Sequence, residues 1–159
     1  ALINASRKAK EPFKVYNSDI RIHLPLLGKS VMADVAAVVV EPIFTIEEPV
    51  GLLANPTLIV EVYSKSSESY DRGDKFRKYK TLPSFEEYVL ISQWEPLVET
   101  FVKKDGRWIE GETAKGLNAS IHLESLGLSV SLADIYWGVT FDETDKPPKP
   151  RPKRNGSST

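Results

Sequence analysis

Apolar and polar residues alternate along several short stretches of this chain, and each stretch predicts a β-strand. In SDIRIHL, three apolar residues alternate with Asp19, Arg21 and His23, which is typical of a strand with one solvent-exposed face. Residues 31–40 are almost uniformly apolar and predict one buried strand. TLIVEVY, at residues 57–63, is apolar on both faces and predicts the central strand of a sheet.

The second half of the chain predicts further strands around one helix. Residues 86–92, EEYVLIS, predict a strand, and PLVETFVKKDGRWIE predicts a β-hairpin with Asp105 and Gly106 at its turn. Residues 119–139 predict one short strand followed by a helical turn. Between these strands, the charged, proline-free run 69–80 predicts a helix.

Strands interleaved with a helix and a hairpin predict an α/β domain with a mixed central β-sheet flanked by helices. We expect this domain to occupy residues 1–140. Residues 141–159 are rich in proline, lysine, arginine and small polar residues, which predicts a disordered tail.

Composition narrows the classes of function without choosing one. The chain has 159 residues, a normal length for one domain, with 21 Lys and Arg against 22 Asp and Glu. This balance neither requires nor excludes a polyanionic partner. The absence of cysteine excludes disulfides, thiolate nucleophiles and cysteine-based zinc sites. No apolar run approaches the roughly 20 residues that span a bilayer, so we expect a cytoplasmic protein without a membrane partner.

Two carboxylates stand beside strongly apolar strand sequence. Asp34 precedes VAAVVV, and Glu61 interrupts LIVEV. If the two strands are neighbours, both carboxylates can point at one spot, where oxygen ligands suit a hard cation such as Mg²⁺. An edge position, a helix cap or a buried salt bridge would explain each carboxylate equally well.

Lys75 is the next candidate, because Asp71, Lys75 and Tyr79 are spaced to share one face of a helix. A helix that follows the Glu61 strand directly could fold back on the sheet and place this lysine close to the carboxylates. Alternatively, Lys75 belongs to an ordinary solvated face and Tyr79 to the core. The serine-rich run SKSSES is either a turn between strand and helix or the mouth of a site that contacts phosphate.

The ordered set ADVAAVV, NPTLIVEVYSKSS, DRGDKFRKY and EEYVLI resembles the bacterial Uma family of predicted restriction endonucleases, within the PD-(D/E)XK nuclease superfamily. Ala33 stands where that family usually has proline, and Val89 stands where it has tryptophan. The usual lysine position of the superfamily holds Tyr63, and the Uma pattern places the lysine on the following helix, at Lys75. The family also has an N-terminal helix, of which the chain's first residues resemble only the end, so we expect this helix to be truncated.

The resemblance implies a restriction-endonuclease-like fold and metal-dependent hydrolysis of DNA. It implies that Asp34, Glu61 and the Val62 carbonyl bind Mg²⁺, with Mn²⁺ as a substitute, and that Asp34, Glu61 and Lys75 are catalytic. It suggests a homodimer and three phosphate contacts, which are Arg72, Arg77 and Lys78. The alternative is a catalytically inactive nuclease-like scaffold that binds nucleic acid or a partner protein.

Overall fold

The computed structural model describes residues 2, 12–17, 20–46 and 51–141. Within these residues the chain forms ten strands, which are β1 (Lys14–Tyr16), β2 (Ile20–Leu24), β3 (Lys29–Ala33), β4 (Val35–Val38), β5 (Leu58–Tyr63), β6 (Glu87–Ser92), β7 (Leu97–Lys104), β8 (Arg107–Lys115), β9 (Ser120–Leu123) and β10 (Leu128–Ser131). No helix among these residues is long and apolar enough to cross a membrane.

Six strands form one mixed sheet in the order β1-β4-β5-β6-β7-β8. β5 and β6 run parallel, and the other neighbouring pairs in the sheet are antiparallel. Two separate hairpins, β2–β3 and β9–β10, complete the architecture. The predicted α/β fold with a mixed central sheet is therefore confirmed.

A helix, α1, connects the parallel strands β5 and β6, which cannot be joined by a tight turn. It consists of an α-helical turn at Glu68–Tyr70, a π-helical turn at Asp71–Lys75 and a second α-helical turn at Phe76–Tyr79. A short second helix, α2 (Leu132–Ile135), begins after Ser131, whose side chain accepts a hydrogen bond from the Asp134 N–H at 3.1 Å.

The central sheet has a hydrophobic core on each face, because successive side chains of a strand point to opposite sides. On one face, Ile59 and Tyr63 of β5 pack with Phe76 and Tyr79 of α1. On the other face, residues of β4, β5 and β6 pack against β9, β10 and α2. The face that contacts α1 is the one that carries Glu61.

The prediction of one continuous strand over residues 31–40 is wrong. The chain bends at Asp34, so that β3 pairs with β2 while β4 enters the central sheet between β1 and β5. The apolar residues on both sides of Asp34 hid this break, because they fit one continuous buried strand equally well. Val39 and Val40 lie beyond β4 and are exposed.

The prediction of one strand within residues 119–139 is also incomplete, since β9 and β10 form a hairpin there. Gly127 supports the turn between them with a φ of 60°, a conformation that favours glycine. The predicted hairpin of β7 and β8 is confirmed, and Asp105 and Gly106 both have positive φ at its turn. The predicted tail, the predicted truncation of an N-terminal helix and Asp19 lie outside the described residues.

Candidate active site

Glu61 is a carboxylate with 1% exposure in the middle of the central sheet. Both of its oxygens accept hydrogen bonds. The Lys75 Nζ donates to Oε2 at 2.7 Å, and the Tyr79 hydroxyl donates to Oε1 at 2.7 Å. Charge-assisted hydrogen bonds of this kind offset the cost of burying a carboxylate.

The helix α1 brings both donors to Glu61, because Lys75 and Tyr79 are four residues apart and lie on one face. Asp71, on the same face one turn earlier, places its Oδ1 3.5 Å from the Lys75 Nζ and is 4% exposed. The Tyr88 hydroxyl of β6 donates to the Asp71 carbonyl at 3.0 Å and so fixes this turn to the sheet. The predicted convergence of helix and strand is therefore present, and it occurs at a π-helical turn, a feature frequent at functional sites.

Asp34 lies at the bend between β3 and β4, next to the same end of β5. The register pairs Val35 with Val60, so one further step of that register places Asp34 opposite Glu61. Opposite residues of an antiparallel pair share a face of the sheet. The Asp34 Oδ2 accepts the Val62 N–H at 2.7 Å, which holds the carboxylate against the strand.

Burial and neighbouring charges shift the pKa values of Glu61 and Lys75. Burial raises the pKa of Glu61 from 4.5 to about 7, and Asp34 adds to the rise, while Lys75 and Tyr79 oppose it. Burial lowers the pKa of Lys75, but attraction to Glu61, Asp71 and Asp34 outweighs burial and raises that pKa overall. Lys75 therefore carries its positive charge at neutral pH within a group of three carboxylates.

The donor chemistry of this site fits Mg²⁺. Carboxylate and carbonyl oxygens are the ligands this ion prefers, and Asp34, Glu61 and the Val62 carbonyl are the residues that would hold it. Among the described residues, no three His, Cys, Asp or Glu side chains converge closely enough to form a complete metal cage. Mg²⁺ usually binds through one or two carboxylates and keeps several waters, so a partial donor set is compatible with it.

The three predicted phosphate contacts lie on α1 in different surroundings. Arg72 donates to Glu68 at 2.9 Å, to Glu99 and to the Tyr63 hydroxyl, so carboxylates already occupy its guanidinium. Arg77 pairs with Asp74 at 2.8 Å and is 75% exposed. Lys78 donates to the Tyr70 hydroxyl at 3.0 Å. The predicted phosphate-binding role of all three stays a prediction.

Comparison with known proteins assigns the chain to a family. Residues 1–133 match the model of the family Uma2, described as "Putative restriction endonuclease". The chain belongs to the Uma2 family. The family resemblance of its motifs is therefore confirmed.

Two Synechocystis proteins named as uncharacterized are similar to this Uma2 chain. Protein slr1290 is 33% identical over 131 residues, which are 80% of this chain and 65% of the relative. Protein sll1609 is 34% identical over 110 residues, which are 69% of this chain and 61% of the relative. The chain thus spans somewhat less than two thirds of the length of these curated relatives.

A solved structure from Anabaena variabilis, described as "a putative nuclease belonging to DUF820", has a similar fold. The TM-score is 0.60 at 18% identity, covering 85% of this chain and 74% of the other. At this identity the likeness concerns the fold.

The structure adds contacts to this Uma2 site that the sequence did not indicate. Tyr79 is buried in the core, as its sequence position predicts, and its hydroxyl also donates a hydrogen bond to Glu61. The sequence signal for this contact is the spacing of four residues between Lys75 and Tyr79, which places both side chains on one face of the helix. The bond from Arg72 to Glu99 had no such signal, because the two residues are far apart in sequence.

Proposed function

We propose that the chain is a metal-dependent endonuclease that hydrolyses phosphodiester bonds of DNA. The observation that carries this proposal is the meeting of Asp34, Glu61 and Lys75 at one end of the central sheet, in a chain of the Uma2 family. Acidic and basic groups with coupled pKa values in one site are typical of catalytic centres.

In this proposal Asp34, Glu61 and the Val62 carbonyl bind Mg²⁺, for which Mn²⁺ can substitute. The ion supplies charge neutralisation and a bound water of lowered pKa. Because Glu61 has a pKa of about 7, it must lose its proton before it becomes an effective ligand, and binding is therefore stronger above pH 7 than below it.

Lys75 has a raised pKa, which suits an ammonium that faces negative charge better than it suits a general base. We assign to it the positioning of the attacking water and the stabilisation of charge that develops on the phosphate. Arg77 and Lys78 lie on the same helix and contact phosphates beyond the site, which positions the DNA without reading its sequence. Cleavage of both strands would pair two such sites in a symmetric dimer.

The first experiment measures cleavage of plasmid DNA by the wild type with Mg²⁺, with Mn²⁺ and with EDTA. We expect cleavage only with the metals, and a loss of about 100-fold or more in Asp34→Asn and Glu61→Gln, because each removes a charged ligand. Asp74→Asn is the matched control, since this exposed carboxylate of α1 pairs with Arg77 at the helix surface. Retained cleavage in both site variants contradicts the assignment.

One observation favours a second candidate, an inactive nuclease-like scaffold. Lys75 contacts Glu61 directly at 2.7 Å, as expected if the pair is a buried salt bridge. Titration calorimetry with Mn²⁺ separates the two candidates. The endonuclease binds the ion and loses this binding in Glu61→Gln, whereas the scaffold shows no binding in either protein.

A further inference from the structure

A cavity of about 260 Å³ opens beside the Glu61 site, at the carboxyl ends of the parallel strands β5 and β6. The described residues that line it are Ser64, Lys65, Ser66, Gln93 and Trp94. β5 ends at Tyr63 and β6 ends at Ser92, so both loops that form the cavity leave the same edge of the sheet. Ligands of open α/β sheets bind in crevices at this edge.

Backbone and serine hydrogen bonds hold the loop after β5 in shape. The Ser64 N–H donates to the Ser67 Oγ at 2.9 Å, and the Ser67 N–H donates to the Ser64 Oγ at 3.3 Å. The Gln93 N–H donates to the Tyr63 carbonyl at 3.1 Å and joins the two loops. The chain's own hydrogen bonds therefore hold together the two loops that line the cavity.

The lining has the chemistry of a phosphate contact. Among the residues that the structure describes, it presents serine hydroxyls, the Gln93 amide and the Lys65 ammonium. These side chains are among those that contact phosphate oxygens in protein–DNA complexes. Trp94 is 5% exposed and packs edge-on against Tyr63, with ring centroids 5.2 Å apart, so it forms a rigid wall.

The cavity lies a short distance along the chain from Glu61, the centre of the proposed cleavage site. Ser64 follows Glu61 by three residues of extended chain, a separation of about 10 Å. This span is comparable with that between a phosphate and the next one or two phosphates along a strand. A single DNA strand can therefore reach both places.

We propose that Lys65, Ser66 and Gln93 bind a phosphate of the strand being cut, one or two nucleotides from the scissile phosphate. The inference rests on the proposed nuclease function and adds a subsite to it. The subsite fixes the register of the strand, so that the scissile phosphate lies over Glu61 and Lys75. It carries no sequence preference, because phosphates are the same at every nucleotide.

The first test measures DNA binding against salt concentration in the non-cleaving Glu61→Gln protein. Lys65→Gln should lower the slope of log K against log salt by about one, as expected for the loss of one phosphate contact. Lys104→Gln is the charge-matched control. Lys104 lies at the opposite end of the sheet, because the register pairs Val102 with Glu87 at the start of β6.

The second test uses cleavage of duplexes in which a single phosphate is replaced by a neutral methylphosphonate. Wild-type cleavage should slow about tenfold when the replacement is one or two nucleotides from the cut. In Ser66→Ala/Gln93→Ala the same replacement should slow cleavage clearly less than in the wild type, because only the Lys65 contact to that phosphate remains.

The two proposals fail in different ways. If the wild type cuts DNA but no neighbouring replacement slows it, or if the double variant keeps full sensitivity, the subsite is wrong and the nuclease stands. An unchanged salt slope in Lys65→Gln also overturns the subsite. If the wild type neither cuts nor binds DNA, the nuclease function is wrong and the subsite falls with it.

Discussion

The central residue of this molecule is Glu61, a carboxylate placed where strand sequence is otherwise apolar. Its burial is compensated by two donors on one helix, the Lys75 ammonium and the Tyr79 hydroxyl, each 2.7 Å away. The compensation is partial, since burial still raises the pKa of Glu61 to about 7. Glu61 therefore changes charge near neutral pH.

This pKa predicts a dependence of stability on pH. The folded state binds the Glu61 proton more tightly than the unfolded chain, whose ordinary value is 4.5. The contribution to stability is full below about pH 4.5 and is lost as pH rises through about 7, a change of about 3 kcal/mol. Urea unfolding in EDTA, at pH values from 4.5 to 7.5, measures this loss of stability.

Glu61→Gln supplies the reference for that measurement, because glutamine does not titrate. The free energy of unfolding of the wild type, minus that of the variant, should fall by about 3 kcal/mol between the two pH limits. Tyr88→Phe removes a comparable buried hydroxyl that bonds the Asp71 carbonyl, and it should keep the wild-type dependence. Parallel curves for wild type and Glu61→Gln would refute the assignment of this pKa.

Among residues, sequence reasoning found the members of the site that follow local rules. Lys75 and Tyr79 are related by helical spacing, and Asp34 and Glu61 are conspicuous in apolar strands. The hydrogen bond that the Val62 N–H donates to the Asp34 carboxylate could not be predicted, because it depends on the bend that ends β3. Apart from Asp34 itself, the run 31–40 is apolar and has no turn residue that would indicate such a bend.

At the scale of elements, α1 is held in place by an ion-pair network as well as by its apolar face. Arg72 joins Glu68 on its own helix to Glu99 on β7, and its guanidinium lies over the Tyr63 ring with 4.9 Å to the centroid. The side chains of Arg72 and Glu99 are 31% and 22% exposed. The network therefore fixes the π-helical turn that carries Lys75.

We predict that Arg72→Met lowers the free energy of unfolding by about 1–2 kcal/mol, because it leaves Glu99 half-buried without its partner. Arg77→Met is the matched control on the same helix. Its ion pair with Asp74 is 75% and 62% exposed, so its loss should change stability by less than about 0.5 kcal/mol. Urea midpoints of the two variants give the comparison, and equal effects would contradict the structural role of Arg72.

The sequence predicted this helix but not its form. The charged run without proline indicated helix over residues 69–80, and the helical turns lie within 68–79. The widened turn at Asp71–Lys75 has no local sequence rule that would reveal it. Its shape is set by contacts of Asp71 and Arg72 with β6 and β7, which are distant in sequence.

At the scale of the whole molecule, Glu87 connects the central sheet to the β9–β10 hairpin. It lies fully buried at the start of β6, and its carboxylate accepts from the N–H groups of Glu124 and Ser125 at 3.1 and 2.9 Å. The Ser125 hydroxyl donates as well, at 2.6 Å. Burial raises the pKa of Glu87, and the bonds from Ser125 and Glu124 oppose that rise.

We predict that Glu87→Ala lowers the free energy of unfolding by about 2–4 kcal/mol, because three donors lose their acceptor and a cavity forms. Lys104→Ala removes an exposed ion pair to Glu124 at the same junction and should cost less than about 0.5 kcal/mol. Chemical denaturation measures both. Amide exchange should increase in β9 and β10 of the first variant only, and unchanged exchange there would show that Glu87 does not join the hairpin to the sheet.

The general architecture could be predicted from the sequence, because alternating apolar and polar residues, together with turn residues, identify most strands of the central sheet. The sequence did not predict that β2–β3 and β9–β10 form hairpins separate from the central sheet. Which sheet a strand joins depends on long-range pairing, as when β4 inserts between β1 and β5. Such pairing leaves no mark in the strand's own residues.

The position of Asp34 divides the site between two parts of the chain. The continuous unit from β5 through α1 to β6 carries Glu61, Lys75 and Tyr79, and Asp34 arrives from an earlier segment through the pairing of β4 with β5. If the backbone were cut between β4 and β5, each fragment would hold only part of the site. Recovery of the paired site would then report fragment reassociation, which makes this junction a natural place to divide the chain into two complementary fragments.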